Sequence, residues 1–109
     1  MTTGDYLGTE PKRAEFDSLP GPVVVEFGAP WCGICRGAQG VINAALAQRP
    51  DVPRFRVEDG PGRPLGRSFK VKLWPTLVFL NHGVEVARVV RPSGEGEIAA
   101  ALARIAETV

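Results

Sequence analysis

Short apolar runs alternate along this chain with stretches of helical period. Val23 to Phe27 is a β-branched run, the pattern of a strand buried on both faces. One residue breaks it: Glu26 puts a carboxylate where hydrocarbon is expected. Val24 and Glu26 share one face of that strand, and Val23, Val25 and Phe27 share the other. From Cys32 to Arg49 the period turns helical. Ala38, Val41, Ile42, Ala45 and Leu46 form one face, and Pro50 ends the run. Gly37 and Gly40 within it each cost about 0.5–1 kcal/mol relative to Ala, which suggests close packing or a pliable segment. Phe55 to Val57 predicts a short strand, and Leu65 to Phe69 a short helix after a loop rich in Gly and Pro. Leu77 to Leu80 and Val84 to Val90 predict two strands around Asn81-His82-Gly83, a hairpin signal in which His82 is a turn residue. Ser93 is placed to cap a last helix, with Glu95 and Glu97 in its first turn and Ile98, Ala101, Leu102 and Ile105 on its apolar face.

The N-terminal part is less patterned. Pro11 to Leu19 predicts a helix with Ala14, Phe16 and Leu19 as its apolar side, stopped by Pro20-Gly21-Pro22. Met1 to Glu10 reads as a weakly ordered lead, with Tyr6 and Leu7 in a short edge strand. Tyr6 and Phe16 are read as ordinary packing residues. The resulting order, roughly β-α-β-α-β-α-β-β-α, predicts an α/β fold: a sheet layered with helices and ending in an antiparallel hairpin.

Bulk properties narrow the function. The 109 residues suffice for one domain and one core, so residues 1–109 are expected to form a single domain. With 13 basic and 12 acidic residues and no like-charge block, nothing argues for nucleic acid or an anionic membrane surface. Met1 to Glu10 lacks the apolar core of a secretory signal, and no apolar run is long enough to span a bilayer. A native start at Met1 would place the protein in the cytoplasm.

The only two cysteines lie in Ala29-Pro30-Trp31-Cys32-Gly33-Ile34-Cys35. A disulfide closing so small a loop is a poor staple. A structural zinc normally takes four ligands, and His82 is the only other Cys or His, so zinc would need a carboxylate or a second chain. A redox pair has a physical logic. At the start of a helix that follows a strand, free N–H groups and the positive end of the dipole favour a thiolate at Cys32, and Cys35 lies one turn along.

The context of the pair resembles the thioredoxin family. The resemblance rests on Val23-Val24-Val25-Glu26-Phe27, Trp31-Cys32-Gly33-Ile34-Cys35, Trp74-Pro75-Thr76-Leu77 and Asn81-His82-Gly83, and runs from about Pro22 to the last helix. It implies a thioredoxin fold, a central mixed sheet of four to five strands flanked by helices on both faces. It further implies a thiol–disulfide oxidoreductase that reduces protein disulfides without a bound cofactor. Its partners would be disulfide-containing proteins and an electron-donating reductase such as thioredoxin reductase, and the chain would act as a monomer. Cys32 would be the exposed nucleophile and Cys35 the buried resolving thiol. Pro75 matches the family's cis-proline, which leaves the backbone of Trp74 free to pair with an extended substrate segment. Trp31 would shield the site.

Glu26 falls where the family has a buried Asp. It is expected to accept the Cys35 proton, its carboxyl pKa raised by desolvation; a solvent-facing Glu on an edge strand is the alternative. Arg56 falls where a Lys often lies near that carboxylate, and is either its partner or a solvated strand residue. Several positions depart from the family. Ile34 replaces a Pro, Gly40 replaces a helix-kinking Pro, and Gly28 stands where a bulky aromatic is usual, opening space behind the loop. Trp74 replaces a small or β-branched residue, and Arg91 replaces a Gly. Together with Trp31, Gly33, Ile34 and Pro75, these last two would form a narrow apolar substrate rim with one fixed positive charge, selecting a restricted set of partners. The alternative from another class is a binding or chaperone-like module on the same fold, with slow redox turnover.

Overall fold

The computed structural model describes residues 5–107 of the chain. Eight elements follow one another: α1 (Arg13–Asp17), β1 (Pro22–Gly28), α2 (Gly33–Leu46), β2 (Arg54–Glu58), α3 (Pro64–Ser68), β3 (Thr76–Asn81), β4 (Val84–Val90) and α4 (Glu95–Glu107). The four strands form one mixed sheet in the order β2-β1-β3-β4. β1 runs parallel to β2, and the other two pairings are antiparallel.

Alternation along β1 decides the layers. Val24 points into an apolar cluster with Ile42 and Ala45 of α2, Leu77 and Phe79 of β3, and Ile98, Ala101, Leu102 and Ile105 of α4. Val23, Val25 and Phe27 point the other way, to Phe16 of α1, Val57 of β2, Leu65 of α3 and Phe69 just beyond it. Burying both faces of a central strand this way is the reason its sequence reads as continuous hydrocarbon. The thioredoxin-like α/β sandwich expected from the sequence is therefore present, with four strands among the described residues.

The hairpin turn follows its residues closely. His82 and Gly83 both take positive φ, 52° and 79°, the combination of a two-residue type I′ turn. His82 Nδ1 accepts the Gly21 N–H at 3.3 Å, which ties the turn to the loop before β1.

Four local expectations are corrected. Among the described residues Tyr6 and Leu7 form no strand; Leu7 N–H bonds the Arg56 carbonyl at 2.9 Å. Residues 1–4 of the expected lead lie outside the described residues. The first helix is only five residues long, not Pro11 to Leu19. Gly37 and Gly40 are exposed, and a Cβ at either would meet nothing within 4 Å, so neither serves close packing. At the start of α4 the Ser93 hydroxyl does not accept from the helix as expected; its N–H and hydroxyl both donate to Glu97 Oε1, at 2.7 and 2.9 Å, so the glutamate does the capping.

Candidate active site

α2 begins directly after the β1 strand and a short loop, with Cys32 as its N-cap. Cys32 is extended (φ −79°, ψ 114°), and its Sγ accepts the Cys35 N–H at 3.2 Å. The sulfur thus does the work of a capping oxygen, satisfying one of the free donors of the first turn. Both thiols are free. Cys32 is 8 % exposed and Cys35 1 %. The ranking agrees with the expected division between an outer and an inner thiol, but Cys32 is much less open than "exposed nucleophile" implied.

The two sulfurs are electrostatically different. Burial raises the Cys32 pKa, but a hydrogen bond from the Cys35 side chain, the N–H groups of Cys35 and Ile34, and the charge of Arg91 outweigh it, so the thiol lies below its ordinary value. Cys35 is pushed up to about 11, first by burial, then by its hydrogen bond to Cys32 and by the negative charges of Cys32 and Glu26; a bond from the Ala29 backbone opposes this. The pair therefore has one sulfur that ionises more readily than an ordinary thiol and one held as thiol, the polarity that thiol–disulfide exchange requires.

Beneath the pair lies Glu26, 0 % exposed. β1 is flanked by β2 and β3, so the edge-strand alternative for Glu26 is excluded. Register places Arg56 beside it on β2, and Arg56 Nε donates to Oε2 at 3.3 Å. Arg54, two residues earlier on the same face, donates to Oε1 through Nε at 2.9 Å and also through Nη2. Gln39 of α2 supplies the fourth donor, Nε2 to Oε2 at 2.8 Å, and the same amide nitrogen donates to the Cys35 carbonyl at 3.2 Å. Arg54 is anchored in turn by Asn43 Oδ1 and Gln39 Oε1 at 2.6 and 2.9 Å. A carboxylate offers about four acceptor directions, and all four are taken. The expected role of Glu26 as proton acceptor for Cys35 meets this obstacle: receiving a proton would mean breaking an arginine or glutamine bond. The bare carboxylate in hydrocarbon, on which that expectation rested, is instead a compensated ion cluster.

The other face of the pair is the rim. The Trp74–Pro75 bond is cis, and Trp74 packs against Ala29, Cys32 and Cys35. Its indole N–H donates to Asp59 Oδ2 at 2.9 Å. Trp31, 67 % exposed, meets it edge to face with centroids 5.4 Å apart. Ile34 is exposed and Gly33 begins the helix with open space around its Cα. Arg91 takes φ 49°, a left-handed conformation unfavourable for any residue with a Cβ. Its N–H bonds the Pro75 carbonyl and its Nε donates to the Trp74 carbonyl, both at 2.9 Å. The Trp74 backbone is therefore not wholly free for strand addition, since Arg91 already occupies its acceptor. The structure brings Trp31, Cys32, Ile34, Cys35, Trp74, Pro75 and Arg91 to one end of the sheet, with Glu26 below.

Sequence reasoning passed over Arg54, Gln39, Asn43 and Asp59. Arg54 left a usable signal: two arginines at i and i+2 share a strand face, and a parallel β1/β2 pairing sets that face against Glu26. Gln39 and Asp59 left none, because their roles depend on which loop and helix approach. Tyr6 was read as plain packing, yet its hydroxyl lies in the gap left by Gly28. A Cβ on Gly28 would fall 2.8 Å from Tyr6 Oη and 2.9 Å from Cys35 Sγ.

Comparison with known proteins agrees with this geometry. The family model for thioredoxin matches residues 12–104. The chain superposes on thioredoxin 2 from Pseudomonas aeruginosa PAO1 with a TM-score of 0.83 and 50 % identity, covering 94 % of this chain and 95 % of that one. A thioredoxin from Chlamydia pneumoniae is 35 % identical over 77 residues, 69 % of this chain and 76 % of that protein. An H-type thioredoxin from Fagopyrum esculentum is 32 % identical over 68 residues, 62 % of this chain, and the match spans only 59 % of the plant protein. The chain belongs to the thioredoxin family.

Proposed function

We propose that this protein is a dithiol–disulfide oxidoreductase acting on protein disulfides. The observation that carries the reading is the asymmetry of the pair: the Cys32 thiol lies below its ordinary pKa and the Cys35 thiol is pushed up to about 11. Cys32 as thiolate attacks a substrate disulfide, forming a mixed disulfide and releasing one substrate thiolate. Cys35 then attacks the Cys32 sulfur; the Cys32–Cys35 bond forms, and the second substrate sulfur leaves and takes up a proton. An electron-donating dithiol reductase returns the pair to the thiols, and the protein works as a cytoplasmic monomer. No helix of the described residues is long and apolar enough to cross a membrane.

The rim supports a restricted set of partners. Trp31 and Ile34 offer exposed hydrocarbon, and the Arg91 charge is fixed by its bond to the Trp74 carbonyl. A substrate strand that uses that carbonyl must share it with the guanidinium. Pro75 and Trp74 would line the groove, with Gly33 leaving its mouth open.

Dithiothreitol-driven reduction of insulin tests the main reading. Wild type should catalyse it and Cys32→Ser should abolish it; equal rates for both would refute it. Trp74→Ile with Arg91→Gly should accelerate insulin reduction if the rim is selective. An unchanged rate, together with wild-type speed equal to that of a generalist thioredoxin, would refute the restriction.

A further inference from the structure

Resolution by Cys35 requires its thiol to ionise in a buried place, and Glu26 has no acceptor direction left for the proton. A buried polar group on the same side as Cys35 is the Tyr6 hydroxyl. Its oxygen is shielded from solvent and its O–H is given to no acceptor; the neighbouring Arg56 side chain acts only as a donor toward it, so the phenol proton is left unused, an arrangement a folded protein seldom keeps without a use. Gly28 makes the approach possible: any larger residue would put its Cβ 2.8 Å from Tyr6 Oη and 2.9 Å from Cys35 Sγ. Oη and Sγ therefore share the notch behind the active-site loop. The ring is held from the other side by the Arg56 guanidinium, 4.2 Å from its centroid, and the next residue is pinned to β2 by the Leu7 N–H to Arg56 carbonyl bond.

We propose that Tyr6 is a hydrogen-bond donor to the Cys35 thiolate in the resolving step, reaching it through the space that Gly28 leaves open. The proposal rests on the oxidoreductase reading above. In the dithiol state the Cys35 thiol is neutral, and the phenol O–H has no acceptor. When Cys35 ionises, the phenol shifts toward the sulfur, donates its O–H and takes part of the charge that the fully bonded Glu26 does not relieve. The phenol is suited to donate and not to receive: burial, opposed by Arg56 and aided by the charges of Cys35 and Glu26, pushes it up to about 12. Cys35 Sγ then attacks the Cys32 sulfur, the Cys32–Cys35 bond forms, and the electron pair of the broken bond leaves with the substrate sulfur. The proton lost by Cys35 ends on that departing thiolate. It is exchanged through solvent, and a cleft of about 430 Å³ lined by Tyr6, Ala29, Gln39 and Arg56 among others opens beside the tyrosine.

The test separates the two sulfur attacks. Reduced protein mixed with dithiobis-nitrobenzoate in a stopped-flow releases thionitrobenzoate twice: first when Cys32 attacks the reagent, then when Cys35 resolves the mixed disulfide. Tyr6→Phe keeps the ring and removes only the hydroxyl. Its second phase should slow about tenfold, as expected for the loss of one hydrogen bond to a charged group, while the first stays within twofold of wild type. The second-phase pH profile should also move to higher pH. The other groups that act on Cys35, namely Cys32, Glu26 and the Ala29 backbone, are retained, as are Arg54 and Arg56, which hold Glu26, and Arg91, which acts on Cys32. A melting temperature within a few degrees of wild type shows that a slow second phase is not a folding defect. A second phase within twofold of wild type from pH 6 to 9 overturns the proposal. A first phase that persists in Cys32→Ala overturns the oxidoreductase reading itself, and this proposal with it.

Discussion

Replacing Glu26 by Leu tests the ion cluster under the cysteines. Glu26 is 0 % exposed and Arg54 and Arg56 are 8 % exposed each. The substitution leaves two guanidinium groups in a buried layer without their counter-charge, and it strands Gln39 as well. Removing one partner of a buried ion pair costs about 3–5 kcal/mol, because the remaining charge stays desolvated and uncompensated. Against a typical total of about 5–15 kcal/mol for a domain this is a large share. For a chain near this size it corresponds to a fall in melting temperature of roughly 12–30 °C. Asp17→Ala is the control, since it breaks the exposed Arg13–Asp17 pair, 3.0 Å apart, and should cost only about 0.3–0.5 kcal/mol. Urea unfolding of the reduced proteins, followed by tryptophan fluorescence, gives both values if the m-value is unchanged. Replacing Glu26, Arg54 and Arg56 together by apolar residues should recover much of the loss, because the penalty belongs to unpaired charge and not to missing attraction. A loss below about 1 kcal/mol for Glu26→Leu would refute the reasoning, showing that water reaches the guanidinium groups.

At pH 7 iodoacetamide should alkylate Cys32 and spare Cys35, read by peptide mass spectrometry, because one thiol lies below its ordinary pKa and the other is pushed up to about 11; equal labelling would contradict the asymmetry. The raised Cys35 value has a stability consequence of definite sign. A raised acid pKa favours the neutral thiol in the fold, so reduced protein should lose stability as pH rises from about 9 toward 11, and Cys35→Ser should remove that part of the slope. Depression of the Cys32 pKa acts oppositely: its stabilisation is present at alkaline pH and disappears as pH falls through the folded value. Gly83→Ala should destabilise by about 1–3 kcal/mol or more, since Gly83 takes φ 79° and its new methyl would run into the Asp17 carbonyl; an unchanged urea midpoint would refute that contact.

Much of this protein was legible as a string. Val23 to Phe27, the face Ala38–Val41–Ile42–Ala45, and the Asn81-His82-Gly83 turn each carry their own periodicity or turn chemistry, which acts between near neighbours. They predicted the layers and the hairpin, and Cys32-Gly33-Ile34-Cys35 at a helix start predicted a redox pair. Family resemblance added the cis bond before Pro75. The first ten residues misled because they carry no period: Tyr6 and Leu7 belong to no strand, and their place is set by contacts with β2.

What the tertiary structure alone decided is how the charges and the small spaces meet. Glu26 in an apolar strand signalled a buried acid, but whether it is bare or compensated depends on the β1/β2 register and on Gln39 descending from α2. That difference surrounds the expected proton acceptor with four hydrogen-bond donors. Gly28 signalled open space, but not that the Tyr6 hydroxyl, 22 positions away in the chain, borders it together with Cys35. Arg91 signalled a charge at the rim, but not that its guanidinium holds the Trp74 carbonyl. Each of these is a contact between residues far apart in sequence, set within a few tenths of an ångström by packing. Local propensity extends only over neighbouring turns and cannot encode such distances.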